Sequence, residues 1–303
     1  MTSVSFKHRL EYLLLRLVAG LVRRLPRRSA LALGAVTGRL AMRILPGRYR
    51  LARENLSRAF PELDNLELEA VLRENFTHFG ICGMDMLRLD MFRPGNDLQR
   101  YFELEGSEYL RKAHELGRGV ILLTAHLGFW EIGSFVLPEL GFPCAVVAKP
   151  MRNPLTDEYF ARTRRAFGVE ILDSRKGARR ILKSLQAGRT VGVLLDQHIS
   201  PPGSVVTEFF GRPAYTTTSI TNMAMKYQVP VVPVFCLRQP DNRYRVWAEP
   251  MLLLEGEGEQ AIEENTQLLT DTIETAIRRD ISQWFWMHKR WRVKSRRRKG
   301  RRK

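Results

Sequence analysis

The sequence contains little cysteine and none of the short motifs that usually mark a nucleophile. Its 303 residues include three cysteines, which are scattered and form no CxxC or other metal-ligand spacing. Such usage fits a protein of a reducing compartment. A GxSxG motif is absent and no cysteine lies beside a candidate base, so the residues give no sign of a covalent nucleophile.

An uninterrupted apolar run long enough for a confident membrane-spanning helix is also absent. Residues 12–22 are apolar except for Arg16 and would cover about 16 Å of a hydrocarbon core of roughly 30 Å. Residues 29–45 form a second apolar segment, interrupted at helical spacing by Arg39 and Arg43. Arg16 also argues against a cleaved signal peptide. We therefore expect residues 1–50 to be membrane-anchoring helices that lie in the plane of the cytoplasmic leaflet or insert shallowly, with ordinary packing on the core as the alternative.

Negative charge is nearly absent from the two ends of the chain. Of the total of +17, residues 1–50 contribute +10 and residues 289–303 contribute +11, which leaves −4 for the residues between them. Basic ends beside apolar segments suit an anionic membrane surface, and Trp284, Trp286 and Trp291 suit its headgroup layer or simple helix packing. We expect residues 294–303 to be a basic, disordered tail. A nucleic-acid-binding protein remains a remote alternative, because the acidic body offers no groove-reading element, and we expect no specific nucleic acid partner.

Beyond residue 119, short apolar runs alternate with helical patterns. The expected strands are 120–124, 144–148, 169–172, 190–195, 231–237 and 244–248. The expected helices are 65–89, 130–140, 154–167, 177–187, 218–227 and a closing helix over 259–286. Asn153 before Pro154 predicts a capped helix start. With no internal repeat and no Pro-, Gly- or Ser-rich linker, we predict an α/β fold over residues 51–293, with a single mixed, mostly parallel sheet flanked by helices, after an N-terminal membrane-associated helical segment.

One histidine lies where a strand passes into a helix. His126 follows the apolar run 120–123, and Glu131 lies in the first turn of the next expected helix. Gly128 between them can adopt backbone angles that turn the carboxylate back onto the imidazole. An imidazole held by a carboxylate is a common general base, because the acid fixes its tautomer. A metal site made of His126, Glu131 and His198 is a less favoured alternative, since the spacing is not HExxH, and we predict no metal.

Three further clusters follow predicted strands, at the edge where open α/β sheets bind ligands. The first is basic and can clamp phosphate groups, the second contains an acid after a buried strand, and the third is an aromatic–Gly–Pro loop before a hydroxyl-capped helix. Because a buried acid needs a partner, we expect Asp196 to face the same cleft as His126. The other candidate binding residues are Lys149, Arg152, Asn153, Arg164 and Arg165, then Gln197, then Phe209, Phe210, Gly211 and Thr216.

The order of several motifs is that of a known family. An HxxxxE box after an apolar strand is followed by KPMRNP, LLDQ, FFGRPAYTTT, VPVVPVF and a terminal WFWMHKRW. Over residues 5–293 the sequence resembles the bacterial late lipid A acyltransferases, the lauroyl and myristoyl transferases. Glycerolipid and phosphatidylinositol mannoside acyltransferases are distant relatives of that family.

The resemblance implies transfer of a fatty acyl chain from acyl carrier protein, or from coenzyme A, to a hydroxyl of a lipid A precursor in an anionic membrane. It implies the cytoplasmic face of a bacterial inner membrane and no cofactor. His126 would be the general base, oriented by Glu131, with Asp196 as the second candidate partner. The residues implied to hold acceptor phosphates or the oxyanion are Arg152, Arg164 and Arg165. A glycerolipid or a phosphatidylinositol mannoside is the alternative acceptor.

Overall fold

The strands form one seven-stranded sheet and a separate hairpin in the computed structural model, which describes residues 4–174 and 177–293. The strands are β1 Phe102–Glu105, β2 Val120–Thr124, β3 Cys144–Ala148, β4 Glu170–Asp173, β5 Thr190–Leu194, β6 Ser204–Phe209, β7 Arg212–Thr217, β8 Val231–Arg238 and β9 Tyr244–Ala248. The large sheet has the order β1-β9-β8-β2-β5-β3-β4, whereas β6 pairs with β7. Strands β8, β2, β5, β3 and β4 run parallel, and β9 is antiparallel to β8. The predicted α/β fold with a mixed, mostly parallel sheet is confirmed.

Helices flank the sheet and precede it. They are α1 Phe6–Arg24, α2 Arg27–Ile44, α3 Pro46–Ala59, α4 Asn65–Met86, α5 Asn96–Tyr101, α6 Ser107–Glu115, α7 Gly133–Glu139, α8 Pro154–Arg165, α9 Ala178–Gln186, α10 Ser219–Tyr227 and α11 Gly258–Arg278. Asn153 caps α8 by accepting a hydrogen bond from the Leu155 N–H, as the Asn-Pro pair predicted. The tail expected at residues 294–303 lies outside the described residues.

The aromatic–Gly–Pro segment is a β-hairpin and not a loop. Strands β6 and β7 pair without a break from Ser204 opposite Thr217 to Phe209 opposite Arg212. The two turn residues, Phe210 and Gly211, both have positive φ angles, of 52° and 65°. Such a turn normally contains Asn or Gly at both positions. A phenylalanine in the left-handed region gave no hairpin signal in the sequence.

The closing helix predicted over 259–286 was wrong beyond Arg278, where α11 ends. Asp280 has an extended backbone, and its side chain accepts hydrogen bonds from the Ser282 N–H and hydroxyl. A 3₁₀ turn over Ile281–Gln283 follows, the backbone is extended at Trp284, and Trp284 and Trp286 are buried while Phe285 between them is half-buried. Of the two alternatives for Trp284 and Trp286, packing is the one that the structure bears out, because both lie in the core, although neither is in a helix.

The first two helices pack on the body of the protein and also expose an apolar face. Glycines allow α2 and α4 to approach closely: a Cβ added at Gly34 would lie 2.7 Å from the Gly80 carbonyl oxygen. The exposed apolar residues of α1, spaced at three and four positions, are Phe6, Leu10, Leu13, Leu14, Leu17 and Leu21. In the described part of the chain, no helix combines the length and apolar character needed to cross a bilayer. Membrane anchoring by residues 1–50 stays a prediction.

Candidate active site

The register of two neighbouring strands brings His126 and Asp196 together. Strands β2 and β5 are parallel and pair Val120 with Thr190 through to Thr124 with Leu194, a constant offset of 70 positions. His126 and Asp196 each follow the last paired residue of their strand by two positions, so the same offset relates them. Because parallel strands end at one edge of the sheet, the imidazole and the carboxylate meet there.

The carboxylate of Asp196 accepts three hydrogen bonds. Its Oδ1 lies 2.8 Å from His126 Nδ1, and its Oδ2 accepts from the His126 backbone N–H and from Trp284 Nε1, each at 2.8 Å. Burial alone would raise the pKa of Asp196, but His126 and these donors lower it to about 2. An ionised Asp196 therefore holds the proton of His126 on Nδ1, which leaves the lone pair on Nε2.

The free nitrogen of His126 faces a partly open space. Gln197 directs its side-chain N–H to His126 Nε2 at 3.1 Å, which fits an unprotonated Nε2. The imidazole side chain is 21% exposed, whereas that of Asp196 is 1% exposed. Aromatic rings surround it, with the Trp130 ring centroid 4.9 Å and the Phe285 centroid 6.3 Å away. The arrangement, with Nδ1 on a buried carboxylate and Nε2 facing a neutral amide donor, is one that a general base can use.

The expected contact between Glu131 and His126 was wrong. Glu131 lies in the 3₁₀ turn Trp130–Ile132, and both of its oxygens bind Arg164 in the last turn of α8, at 2.7 and 3.0 Å. Paired N–H donors of a guanidinium match a carboxylate better than one imidazole nitrogen does. The partner of the imidazole is instead Asp196, which was the second candidate.

Two cavities meet at the Glu131–Arg164 ion pair. A cavity of about 80 Å³ is lined by both residues and by apolar side chains of β2, β3, β5 and α7, among them Leu122, Leu137 and Cys144. A larger open cleft, of about 640 Å³, shares Arg164 and Ala148 with it and is also lined by Arg152 and Arg165. The ion pair therefore stands between an apolar cavity and a charged cleft, whose lining also contains Asp157, Glu158 and Asp173.

The remaining basic candidates differ in their surroundings. Arg165 binds Glu158 at 2.7 Å, whereas Lys149 and Arg152 are exposed and make no ion pair in the described part of the chain. Asn153 is buried, caps α8 and donates to the His8 carbonyl and to Glu11, so its polar atoms hold helices together.

The structure does not place the hairpin residues at the site. Phe209 and Phe210 are buried among tryptophans, with ring centroids 5.5 Å from Trp284 and 5.7 Å from Trp286 respectively. Thr216 is fully buried and binds Arg290 at 2.6 Å, and Gly211 forms the hairpin turn. Direct substrate contact expected for Phe209, Phe210 and Thr216 was wrong, because core packing covers them.

The closing segment supplies residues that the sequence did not single out. Trp284 binds Asp196, and the Phe285 N–H donates to the His126 carbonyl at 3.0 Å. Arg290 is fully buried and donates to the Tyr215 carbonyl oxygen. The sequence carried one signal for the first contact, since a buried tryptophan needs a hydrogen-bond partner, but Trp284 was interpreted as a residue of a headgroup layer or of a packed helix.

A metal site built on His126, Glu131 and His198 is not assembled. Glu131 is held by Arg164, and His198 Nε2 lies 3.0 Å from the Ser200 hydroxyl. Across residues 4–174 and 177–293, no three His, Cys, Asp or Glu side chains are grouped so that they could bind one ion.

Comparison with known proteins connects this geometry with one family. The model of the bacterial lipid A biosynthesis acyltransferase family matches residues 2–293. The lipid A biosynthesis lauroyltransferase of Escherichia coli K12 is 27% identical over 283 residues, which cover 91% of this chain and 90% of the relative. The lipid A biosynthesis palmitoleoyltransferase of the same organism is 27% identical over 86% of this chain and 84% of its own length. The corresponding myristoyltransferase is 27% identical over 65% of this chain and 61% of its own.

Proposed function

The chain belongs to the bacterial lipid A biosynthesis acyltransferase family and is an O-acyltransferase, and from this premise we propose its donor, acceptor and catalytic base. The protein transfers a fatty acyl chain from acyl carrier protein, or from coenzyme A, to a hydroxyl of a lipid A precursor. The observation that carries the proposal is the His126–Asp196 pair, with Nδ1 bound to a buried carboxylate, Nε2 bound to the side-chain amide of Gln197, and the imidazole side chain 21% exposed.

The reaction begins at the free nitrogen of His126. Nε2 takes the proton of the acceptor hydroxyl after Gln197 gives up its hydrogen bond, and the oxygen attacks the thioester carbonyl carbon. The new C–O bond forms as the C–S bond breaks, and the departing sulfur takes the proton from the imidazolium. Asp196 stabilises the imidazolium between these steps and keeps Nε2 as the transferring atom.

The Glu131–Arg164 pair is proposed to position the donor. Glu131 occupies Nε and Nη2 of Arg164, so the Nη1 N–H groups remain for a thioester oxygen or a phosphate. The apolar cavity on one side of the pair suits part of an acyl chain, and the exposed guanidinium group of Arg152 in the cleft on the other side suits a phosphate group of either substrate. Trp130, adjacent to Glu131, contacts the imidazole and links the pair to the base.

Membrane association belongs to the same proposal. The apolar face of α1 is exposed along its length, and α1 contacts the start of α8 through Asn153. An acceptor lipid in the cytoplasmic leaflet of the inner membrane would therefore lie near the elements that carry Arg164.

Lipid analysis tests the proposal. Cells that express the protein should gain one acyl chain on a lipid A precursor by mass spectrometry, and cells that express His126→Ala at equal level should not. A gain on glycerolipids or on phosphatidylinositol mannosides would select the alternative acceptor. An acyl gain that is equal for both proteins would contradict His126 as the base.

A further inference from the structure

A groove of the helical region lies between α2, α3 and α4, and it shares no lining residue with the cavities at the Glu131–Arg164 pair. Its volume is about 860 Å³, and its lining includes Val36, Arg39, Leu40, Arg43, Tyr49 and Arg73. Four of these residues lie on one face of α2, because positions 36, 39, 40 and 43 are separated by three or four residues. The groove therefore combines three guanidinium groups with exposed apolar side chains.

The three arginines have no acidic partner. Arg39, Arg43 and Arg73 are exposed, and none makes an ion pair in the part of the chain that the structure describes. Glu69, the acid on the same side of α4, already accepts hydrogen bonds from Tyr49 and from Arg53. The positive charge of the groove is thus open to an external anion.

Apolar side chains continue beyond the arginines. Val36 and Leu40 are 59% and 51% exposed, and Ile44 and Leu45 at the end of α2 are 64% and 46% exposed. At the membrane surface, acyl chains lie directly below charged headgroups, so apolar side chains beside guanidinium groups suit this boundary. A helix that lies in the membrane plane buries its apolar face there by about 5–10 Å.

We propose that the α2–α3–α4 groove binds the phosphate of a bilayer phospholipid, with Arg39, Arg43 and Arg73 as its ligands and Val36 and Leu40 against the acyl region. The guanidinium groups offer paired N–H donors that match phosphate oxygens. The inference rests on the proposed membrane association but assigns the groove no part in acyl transfer. The groove orients the enzyme on the membrane, while the acceptor binds at the cleft of Arg164.

Binding of the full chain to phosphatidylcholine vesicles, with and without phosphatidic acid, tests the groove. Each arginine lost should weaken binding to the anionic vesicles about fivefold, so Arg39→Ala, Arg43→Ala and Arg73→Ala together should weaken it about a hundredfold. The decisive variant replaces all three by lysine, which keeps the charge and removes the paired donors. We expect this variant to bind at least about tenfold more weakly than the wild type, because lysine offers phosphate a point charge only.

A matched control changes three other exposed arginines of α1 and α2 to lysine. Arg9, Arg24 and Arg28 are exposed and unpaired in the described residues, so their lysine variant should bind as the wild type does. If the variant with lysine in place of Arg39, Arg43 and Arg73 bound the anionic vesicles as tightly as the wild type, the attraction would come from net charge alone, and the proposal would be overturned.

Acyl transfer to a micelle-dispersed acceptor separates this inference from the proposed function. The groove variants should retain wild-type kcat and KM in micelles, and a raised KM there would assign the groove to the acceptor and overturn the proposal. The wild type could show no acyl transfer in micelles and still bind anionic vesicles more tightly than the groove lysine variant. That result would contradict the proposed function and support the phospholipid site in the groove.

Discussion

At the scale of single residues, Asp196 fixes the chemistry of the site through its three donors. It binds both the side chain and the backbone of His126: the backbone N–H holds the carboxylate beside the ring, and rotation of the imidazole would break the hydrogen bond between Nδ1 and Oδ1. The second carboxylate oxygen, Oδ2, accepts hydrogen bonds from Trp284 Nε1 and from the His126 backbone N–H. The tautomer of the base thus follows from the contacts of its neighbour.

Asp196→Asn should lower kcat by about 10⁴, because an amide can donate to Nδ1 and so favours the wrong tautomer. Trp284→Phe removes one donor but leaves the carboxylate ionised, and its loss of kcat should be much smaller. Steady-state kinetics with equal folded protein, checked by circular dichroism, measures both. Equal losses of kcat in Asp196→Asn and Trp284→Phe would mean that a general disturbance of the pocket, and not the tautomer of His126, lowers the rate.

The Glu131–Arg164 pair should act as one unit. Glu131→Gln and Arg164→Gln should each lower kcat/KM, and the double variant should lose less than the sum, with a coupling of about 1–3 kcal/mol. A double-mutant cycle on kcat/KM measures this coupling. Additive losses would show that the two residues work separately, and Arg162→Gln, on the exposed face of α8, serves as the control.

Buried histidines should make folding sensitive to mild acid. Burial lowers the pKa of His78 to about 3, so between this value and its ordinary pKa the unfolded chain binds more protons than the folded protein. The free energy of unfolding should therefore fall as pH drops below about 6.5, by up to about 1.4 kcal/mol per pH unit from His78.

Urea denaturation at several pH values between 7 and 5 measures this slope. His78→Gln should flatten it even if the variant is less stable, because the side chain no longer titrates. His288, whose pKa burial lowers to about 4, keeps a residual slope in that variant. An unchanged slope in His78→Gln would contradict the assignment.

At the scale of elements, the sequence predicted strands that consist mainly of β-branched, aromatic and other apolar residues. The bounds of β2, β3 and β9 agree with the prediction, because such short runs between turn residues mark strands, even where a charged residue such as Arg245 interrupts the run. Strand order is not encoded in such local patterns. Only the adjacency of β2 and β5 decides that His126 meets Asp196, and only the end of α8 decides that Glu131 meets Arg164.

Other elements escaped prediction because their local signals are weak or misleading. Strand β1 has only four residues, FELE. It pairs in parallel with β9, and since β9 is antiparallel to β8, both strands run opposite to the rest of the sheet. The segment after Arg278 contains aromatic residues that fit a helix as well as an extended chain. Its course, a 3₁₀ turn followed by an irregular segment, is set by tertiary contacts, such as the Gly128 N–H that donates to the Gln283 carbonyl at 2.9 Å.

The contact between α2 and α4 should depend on glycine. A Cβ at Gly38 would overlap the Phe76 carbonyl oxygen, and one at Gly80 would overlap that of Gly34. Gly38→Ala should lower the free energy of unfolding by about 1–3 kcal/mol, since two backbones must separate.

Gly20→Ala on α1 is the matched control. A Cβ there meets nothing within 4 Å, so alanine should raise stability by about 0.5–1 kcal/mol through helix propensity. Thermal or urea denaturation compares the two variants. A neutral Gly38→Ala would show that α2 can move away from α4 at little cost.

At the scale of the whole molecule, apolar and basic surfaces are arranged around the sheet edge that carries the base. The exposed apolar face of α1, the charged cleft at Arg164 and the groove between α2, α3 and α4 all lie on elements that contact α4 or α8.

The rate of acyl transfer by purified protein tests this account most directly. With acyl carrier protein as donor and a lipid A precursor in micelles, His126→Ala should lower kcat by about 10²–10⁴ while the protein stays folded. Arg28→Ala, on the exposed surface of α2, should leave kcat unchanged. Transfer by His126→Ala at the wild-type rate would contradict the assignment of His126 as the base.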